Sequence, residues 1–89
     1  MGIDDWRERI DAIDLQILAL LNERAQCSIE IGKIKHQQRL PVYIPERERR
    51  IYETLDRLNR GPLTGAAVRR LFERIIDESR RIEKDIGQL

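Results

Sequence analysis

The sequence predicts an all-α chain of three helices, which pairs with a second copy to form an intertwined six-helix homodimer. Proline and glycine cluster at two places, residues 40–45 and 59–64, and these read as connections. The segments around them repeat apolar residues every three to four positions, as helices do, and show no alternating strand pattern. A length of 89 residues predicts a single domain spanning residues 1–89.

The first helix is expected at about residues 4–38, with Asp4 or Asp5 as its N-cap. At about 1.5 Å per residue it would be roughly 50 Å long, too long for a compact three-helix monomer to cover. A partner helix from a second copy would cover the exposed stripe. The stripe follows the four-three spacing of a heptad seam: Trp6, Ile10, Ile13, Ile17, Leu20, Cys27, Ile31 and Ile34.

The second helix is expected at about residues 45–59, because Pro45 suits a first helical position. The third is expected at about 64–87, with Thr64 as its N-cap. Their apolar stripes are Ile51, Leu55 and Leu58 in the second helix, and Val68, Leu71, Phe72, Ile75, Ile76, Ile82 and Ile86 in the third.

Composition excludes several classes of function. The chain has 17 Lys and Arg against 16 Asp and Glu, whereas general nucleic-acid binders carry a basic surplus. Cys27 is the single cysteine, so no intrachain disulfide can form, and one cysteine with one histidine is too little for a zinc site. No apolar run reaches membrane-spanning length. We therefore expect a cytoplasmic protein with no metal and with neither nucleic acid nor membrane as partner.

Cations interrupt the pattern of the first helix. The four-three series calls for an apolar residue at position 24, and the chain has Arg24. A buried guanidinium needs a partner, which is either a carboxylate in an internal ion pair or an anionic ligand. Lys35, eleven residues later, faces the same side roughly 16 Å away, although a lysine there also suits the helix dipole.

Arg7 shares a heptad position with Lys35 but lies about 42 Å from it along the helix. Taken alone it is a surface residue. If two copies of the helix cross antiparallel near Leu18, Arg7 of one copy falls between Arg24 and Lys35 of the other, and symmetry creates two such pockets.

The third helix has a polar pair on its apolar face, Ser79 and, four residues later, Glu83. The simpler interpretation is that Ser79 bonds back to its own helix and Glu83 is solvated. The charged run at residues 46–50 is typical of a solvated, salt-bridged face.

Five segments, with their order and spacing, together resemble the all-helical, bacterial-type chorismate mutase family: residues 6–14, 20–24, 31–35, 41–48 and 72–83. The resemblance implies an intertwined dimer of three-helix subunits with shared active sites. It implies an isomerase that converts chorismate, a dianion, to prephenate by a unimolecular Claisen rearrangement in phenylalanine and tyrosine biosynthesis. The family reaction uses no cofactor.

The resemblance also implies roles for individual residues. Arg24, Lys35 and the partner subunit's Arg7 would hold the two substrate carboxylates, and Lys35 would donate to the ether oxygen. Glu48 would accept a hydrogen bond from the ring hydroxyl. Arg47 would line the site near Glu48, and Ser79 would lie beside a carboxylate.

Two positions depart from the family pattern. Ile44 stands where some members have an aspartate near the ring hydroxyl. If the backbone amide makes that contact, nothing is lost, and if the side chain makes it, Glu48 carries it alone. Glu83 stands where the best-studied bacterial pattern has a glutamine that donates to the ether oxygen. An ionised carboxylate cannot donate, so Glu83 must carry a proton to help, which burial favours and nearby cations oppose. We expect activity to fall as the pH rises.

Two other functions stay open at this level. One is an isochorismate–pyruvate lyase on the same scaffold, and the other is a non-catalytic helical dimerisation or regulatory module. The sequence also leaves open whether the chain stands alone or is part of a bifunctional protein with a prephenate dehydratase.

Overall fold

The computed structural model describes residues 1–86, and these form three helices: α1 (Ile3–Gln38), α2 (Pro45–Leu58) and α3 (Gly65–Ile86). The predicted all-α fold is confirmed. The second helix ends at Leu58 rather than at residue 59, because Asn59 is extended and only its backbone N–H still bonds to the helix, at Leu55 O. The expected end of the third helix at residue 87 lies outside the described residues.

The helix starts confirm Thr64 as an N-cap and Pro45 as an early helical residue, and they correct the predicted N-cap of α1. Thr64 Oγ1 accepts a hydrogen bond from the Ala67 N–H at 3.1 Å, and Pro45 lies in the first turn of α2. The N-cap of α1 is Gly2, not Asp4 or Asp5. The Asp5 carboxylate accepts from the Gly2 N–H at 3.0 Å, so the acidic residues stabilise the first turn from inside the helix.

Helix α3 packs against α1, and α2 packs against α3, which leaves an elongated body of 54 × 27 × 15 Å. The two longer helices approach each other closely at Gly32. A Cβ at that position would lie 3.0 Å from Glu83 Cα and 3.3 Å from Ile86 Cγ1. The close approach buries Ser28 and Gly32 of α1 and brings polar side chains of the two helices into contact.

The predicted seam of α1 stays largely exposed in the single chain. Trp6, Ile10, Ile13 and Ile17 keep between 46% and 54% of their surface accessible, and Leu20 keeps 63%. The chain exposes 7427 Å², whereas a compact monomer of this mass would expose about 5,500 Å². Within the described residues, this apolar face therefore has no cover. None of the described helices combines the length and the apolar character needed to cross a membrane.

Candidate active site

A cavity of about 350 Å³ lies between the C-terminal half of α1, the loop that follows it, the start of α2 and the middle of α3. Its volume is in the range of small-molecule sites, about 300–1,000 Å³. Apart from Arg7, every predicted site residue lines it: Arg24, Lys35, Ile44, Arg47, Glu48, Ser79 and Glu83.

Lys35 is held from two sides at one end of the cavity. Its Nζ donates to Val42 O at 2.9 Å and lies 2.6 Å from Glu83 Oε1. Arg39 adopts a left-handed conformation at the end of α1, which turns the chain back so that the Val42 carbonyl faces the helix it has just left. An ammonium has three N–H donors, so Lys35 can still donate to a ligand.

The contact between Lys35 and Glu83 is an ion pair without an aligned hydrogen bond. The two side chains are only 14% and 10% exposed. Yet the buried Glu83 Oε1 has no hydrogen-bond partner of suitable geometry among the described residues. Attraction between the two charges therefore holds the pair.

Arg24 has a hydroxyl as its partner rather than a carboxylate. Its Nη1 donates to Ser79 Oγ, and Ser79 Oγ donates to Ile75 O at 3.2 Å. Among residues 1–86, no Asp or Glu forms an ion pair with Arg24, so the internal ion pair considered from the sequence is absent there. The guanidinium keeps its full charge at the cavity wall, and the hydroxyl of Ser79 both bonds back to its own helix and orients Arg24.

The charged run at the start of α2 divides between the cavity and the solvent. Glu46 pairs with exposed Arg49 and Arg50, and the hydrogen bond from Arg49, aided by the charge of Arg50, lowers the pKa of the Glu46 carboxyl. Arg47 and Glu48 instead line the cavity. Glu48 is partly buried and pairs with Arg80 of α3, so the solvated interpretation is wrong for Glu48, whereas Arg47 borders the cavity and is exposed.

The sequence reading missed Arg80, which also lines the cavity. Its Nε lies 3.3 Å from Glu48 Oε2, and its guanidinium carbon lies 5.2 Å from the centre of the Tyr43 ring. Position 80 shares a helical face with Ile76 and Glu83, but spacing within α3 does not reveal its partner Glu48 on α2.

Arg7 does not reach the cavity of its own chain. It is exposed and lies 3.8 Å from Asp4, one turn away on the same helix. Its entry into the cavity of a second copy stays a prediction.

The residues at this site can bind a small anion with two negative groups. Four cations (Arg24, Lys35, Arg47 and Arg80) and two carboxylates (Glu48 and Glu83) line the cavity, which leaves two positive charges in excess. Within residues 1–86, no group of three His, Cys, Asp or Glu side chains is placed to hold a metal ion.

Comparison with known proteins agrees with this geometry. The family model described as chorismate mutase type II matches residues 6–84. The bifunctional chorismate mutase/prephenate dehydratase of Aquifex aeolicus is 41% identical over 88 residues, which cover 94% of this chain and 24% of that protein. Its counterpart from Neisseria gonorrhoeae is 42% identical over 80 residues, or 90% of this chain and 22% of that protein. The chain thus spans about a quarter of the length of these curated relatives.

Two solved structures are similar over nearly the whole chain. The chorismate mutase of Thermus thermophilus superposes with a TM-score of 0.90 at 34% identity, covering 92% of this chain and 93% of that one. The Helicobacter pylori chorismate mutase in complex with prephenate gives 0.88 at 27% identity, covering 97% and 93%. With the family match over residues 6–84, these likenesses show that the chain belongs to the chorismate mutase type II family.

Proposed function

We propose that this chain is an isomerase that converts chorismate to prephenate by a unimolecular Claisen rearrangement, in the biosynthesis of phenylalanine and tyrosine. The observation that carries the proposal is the unneutralised Arg24 facing the same cavity as Lys35, in a site with an excess of two positive charges. The substrate is a dianion, so an excess of positive charge, which the partner subunit's Arg7 would raise further, favours its binding. The relatives named for this reaction favour it over the lyase and over a non-catalytic module.

The cations act first by restricting the substrate. Arg24, oriented by Ser79, acts with Lys35 and the partner subunit's Arg7 to hold the two carboxylates. Arg47 adds positive charge near Glu48. Holding both carboxylates favours the compact diaxial conformer in which the two bond-forming carbons approach each other. Ile44 packs against the ring, and the Glu48 carboxylate accepts a hydrogen bond from the ring hydroxyl.

Lys35 then stabilises the transition state. Negative charge builds on the ether oxygen as the C–O bond breaks, and the fixed Lys35 ammonium donates to that oxygen. Glu83 contributes a second donor only when it is protonated. In the unliganded cavity it is paired with Lys35, whose third N–H can still donate to the ether oxygen.

The functional unit that we propose is a homodimer with shared active sites. The chain exposes about 1,900 Å² more than a compact monomer of its mass would. If each copy buries that area on pairing, the interface totals almost 4,000 Å², within the range of about 2,000–5,000 Å² for obligate homodimers. The exposed seam of α1 supplies the apolar face, and the partner subunit's Arg7 completes the cation set. This proposal concerns residues 1–89 as one mutase domain, with a cytoplasmic location as the accompanying prediction.

A direct assay with matched lysine variants tests the activity. Wild type should convert chorismate to prephenate, and Lys35→Ala should reduce turnover by about 10²–10³-fold, the usual effect of removing one transition-state donor. The control is Lys33→Ala, because Lys33 is 55% exposed, pairs with Glu30 and lies outside the cavity. It should stay within about twofold of wild type.

A parallel assay with isochorismate as substrate distinguishes the mutase from the isochorismate–pyruvate lyase. Release of pyruvate from isochorismate without conversion of chorismate would replace the mutase by the lyase. Wild-type protein that converts neither compound would favour the non-catalytic module.

A further inference from the structure

Arg80 connects three parts of the cavity wall. It extends from α3 to pair with Glu48 in the first turn of α2, at 3.3 Å, and it lies over the ring of Tyr43 in the loop between α1 and α2, at 5.2 Å. Its side chain is 33% exposed and that of Glu48 is 18% exposed. The pair is thus partly shielded from solvent, where an ion pair is screened less than at an open surface.

The charge of Arg80 matters because of what Glu48 faces. A carboxylate that lines a cavity for a dianion repels the ligand unless a cation offsets it. Lys35 is already paired with Glu83, and Arg24 with Ser79. Arg80 is the cation in contact with Glu48 among the described residues, and without it the excess positive charge of the cavity would fall from two to one.

The geometry also fixes the direction of the Glu48 carboxylate. Oε2 faces Arg80, which leaves Oε1 to accept a hydrogen bond from a ligand. The neighbouring Ile44 has no polar side-chain atom, so it cannot share that role. The buried Arg80 Nε has no aligned hydrogen bond among residues 1–86, so it holds Glu48 by charge.

We propose that Arg80 is a positioning residue of the active site, which aims the Glu48 carboxylate at the substrate's ring hydroxyl and offsets its charge against the dianion. The inference rests on the proposed mutase function. Arg80 acts through Glu48, and its guanidinium lies over the Tyr43 ring. Arginine suits this role because its planar guanidinium can stack on an aromatic ring and pair with a carboxylate at the same time.

A double-mutant cycle of Arg80→Met and Glu48→Gln tests whether Arg80 acts through Glu48. Arg80→Met should lower kcat/KM by about tenfold in the wild-type background, with a rise in KM and in the Kd for prephenate. In the Glu48→Gln background the same change should alter kcat/KM by less than about twofold. Effects that multiply would overturn the proposal, since they indicate a direct substrate contact or a general structural role.

Two further variants separate charge from folding. Arg80→Lys keeps the cation and should lose less kcat/KM than Arg80→Met; an equal loss would refute the electrostatic part. Arg81→Met is the control, because Arg81 is the next residue of α3, is 62% exposed and pairs with Asp77 and Glu78 instead. It should leave kcat/KM within about twofold of wild type. Should Arg80→Met fail to fold, Arg80→Lys in both Glu48 backgrounds gives the same cycle with a smaller effect.

The wild-type assay distinguishes the two levels of failure. If wild type does not convert chorismate, the proposed function fails and this inference falls with it. If wild type is active and Arg80→Met matches Arg81→Met, the role of Arg80 alone is refuted.

Discussion

Gly32→Ala tests whether stability and turnover depend on the close approach of α1 and α3. The new Cβ would lie 3.0 Å from Glu83 Cα and 3.4 Å from Glu83 O. Carbon atoms in contact are ordinarily about 3.5–4.0 Å apart, so the helices must separate by about 0.5–1 Å. The obstructing atoms belong to the backbone, so a side-chain rotation cannot relieve the clash.

The magnitude follows from two opposing effects. Overpacking costs about 1–3 kcal/mol, and replacing glycine by alanine inside a helix gains about 1 kcal/mol, so we expect a net loss of about 1 kcal/mol in the free energy of unfolding. Turnover should suffer more, because a displacement of about 1 Å in a catalytic group costs up to about a hundredfold. The displaced residue is Glu83, which is paired with Lys35.

Urea unfolding followed by circular dichroism, with all samples at one protein concentration, measures the stability, and the chorismate assay measures turnover. The control is Gly65→Ala, since a Cβ there would meet Asp56 Oδ1 at an ordinary 3.8 Å. It should leave stability and turnover near wild type. The reasoning is refuted if Gly32→Ala is as stable and as active as Gly65→Ala.

Two other predictions concern a hydrogen-bond donor and a helix cap. Glu83→Gln should raise the turnover of chorismate, because the glutamine amide donates a hydrogen bond that the Glu83 carboxylate, paired with Lys35, cannot donate; turnover at or below wild type would contradict the assigned role. Thr64→Ala removes the hydrogen bond to the Ala67 N–H and should cost about 1 kcal/mol in urea unfolding with little effect on turnover. Thr54→Ala, at an exposed position within α2, should stay within about 0.5 kcal/mol of wild type, and an equal loss in both would refute the cap.

The spacing of apolar residues and the two clusters of proline and glycine predicted the helices, because both are local properties of the chain. Pro45 and Thr64 mark helix starts by their backbone and side-chain chemistry, and the structure has them at those places. The start of α1 was harder, since Asp4 and Asp5 suit a cap and a first turn equally well. The observed N-cap is Gly2, and Asp5 bonds to it from inside the helix.

The candidate site was predictable where a polar residue interrupts an apolar stripe, as Arg24 and Ser79 do. Arg47 and Glu48 could be predicted as site residues only from the resemblance to the chorismate mutase family, since a run of alternating charges does not reveal which side chains face the cavity. Arg80 and Gly32 were missed for a different reason. Their importance depends on which side chain or backbone lies across from them, Glu48 in one case and Glu83 in the other, and periodicity within one helix does not contain that information.

The central claim, a mutase whose active site takes cations from two subunits, is tested most directly by mixing two inactive variants. Arg7→Ala and Arg24→Ala homodimers should each be nearly inactive. After unfolding and refolding together in equal amounts, half of the dimers are mixed, and each mixed dimer has one intact site, so chorismate turnover should recover to about a quarter of wild type. No recovery above the separate variants, with mixed dimers shown to form, would contradict the account, because it would place both arginines in the site of a single chain.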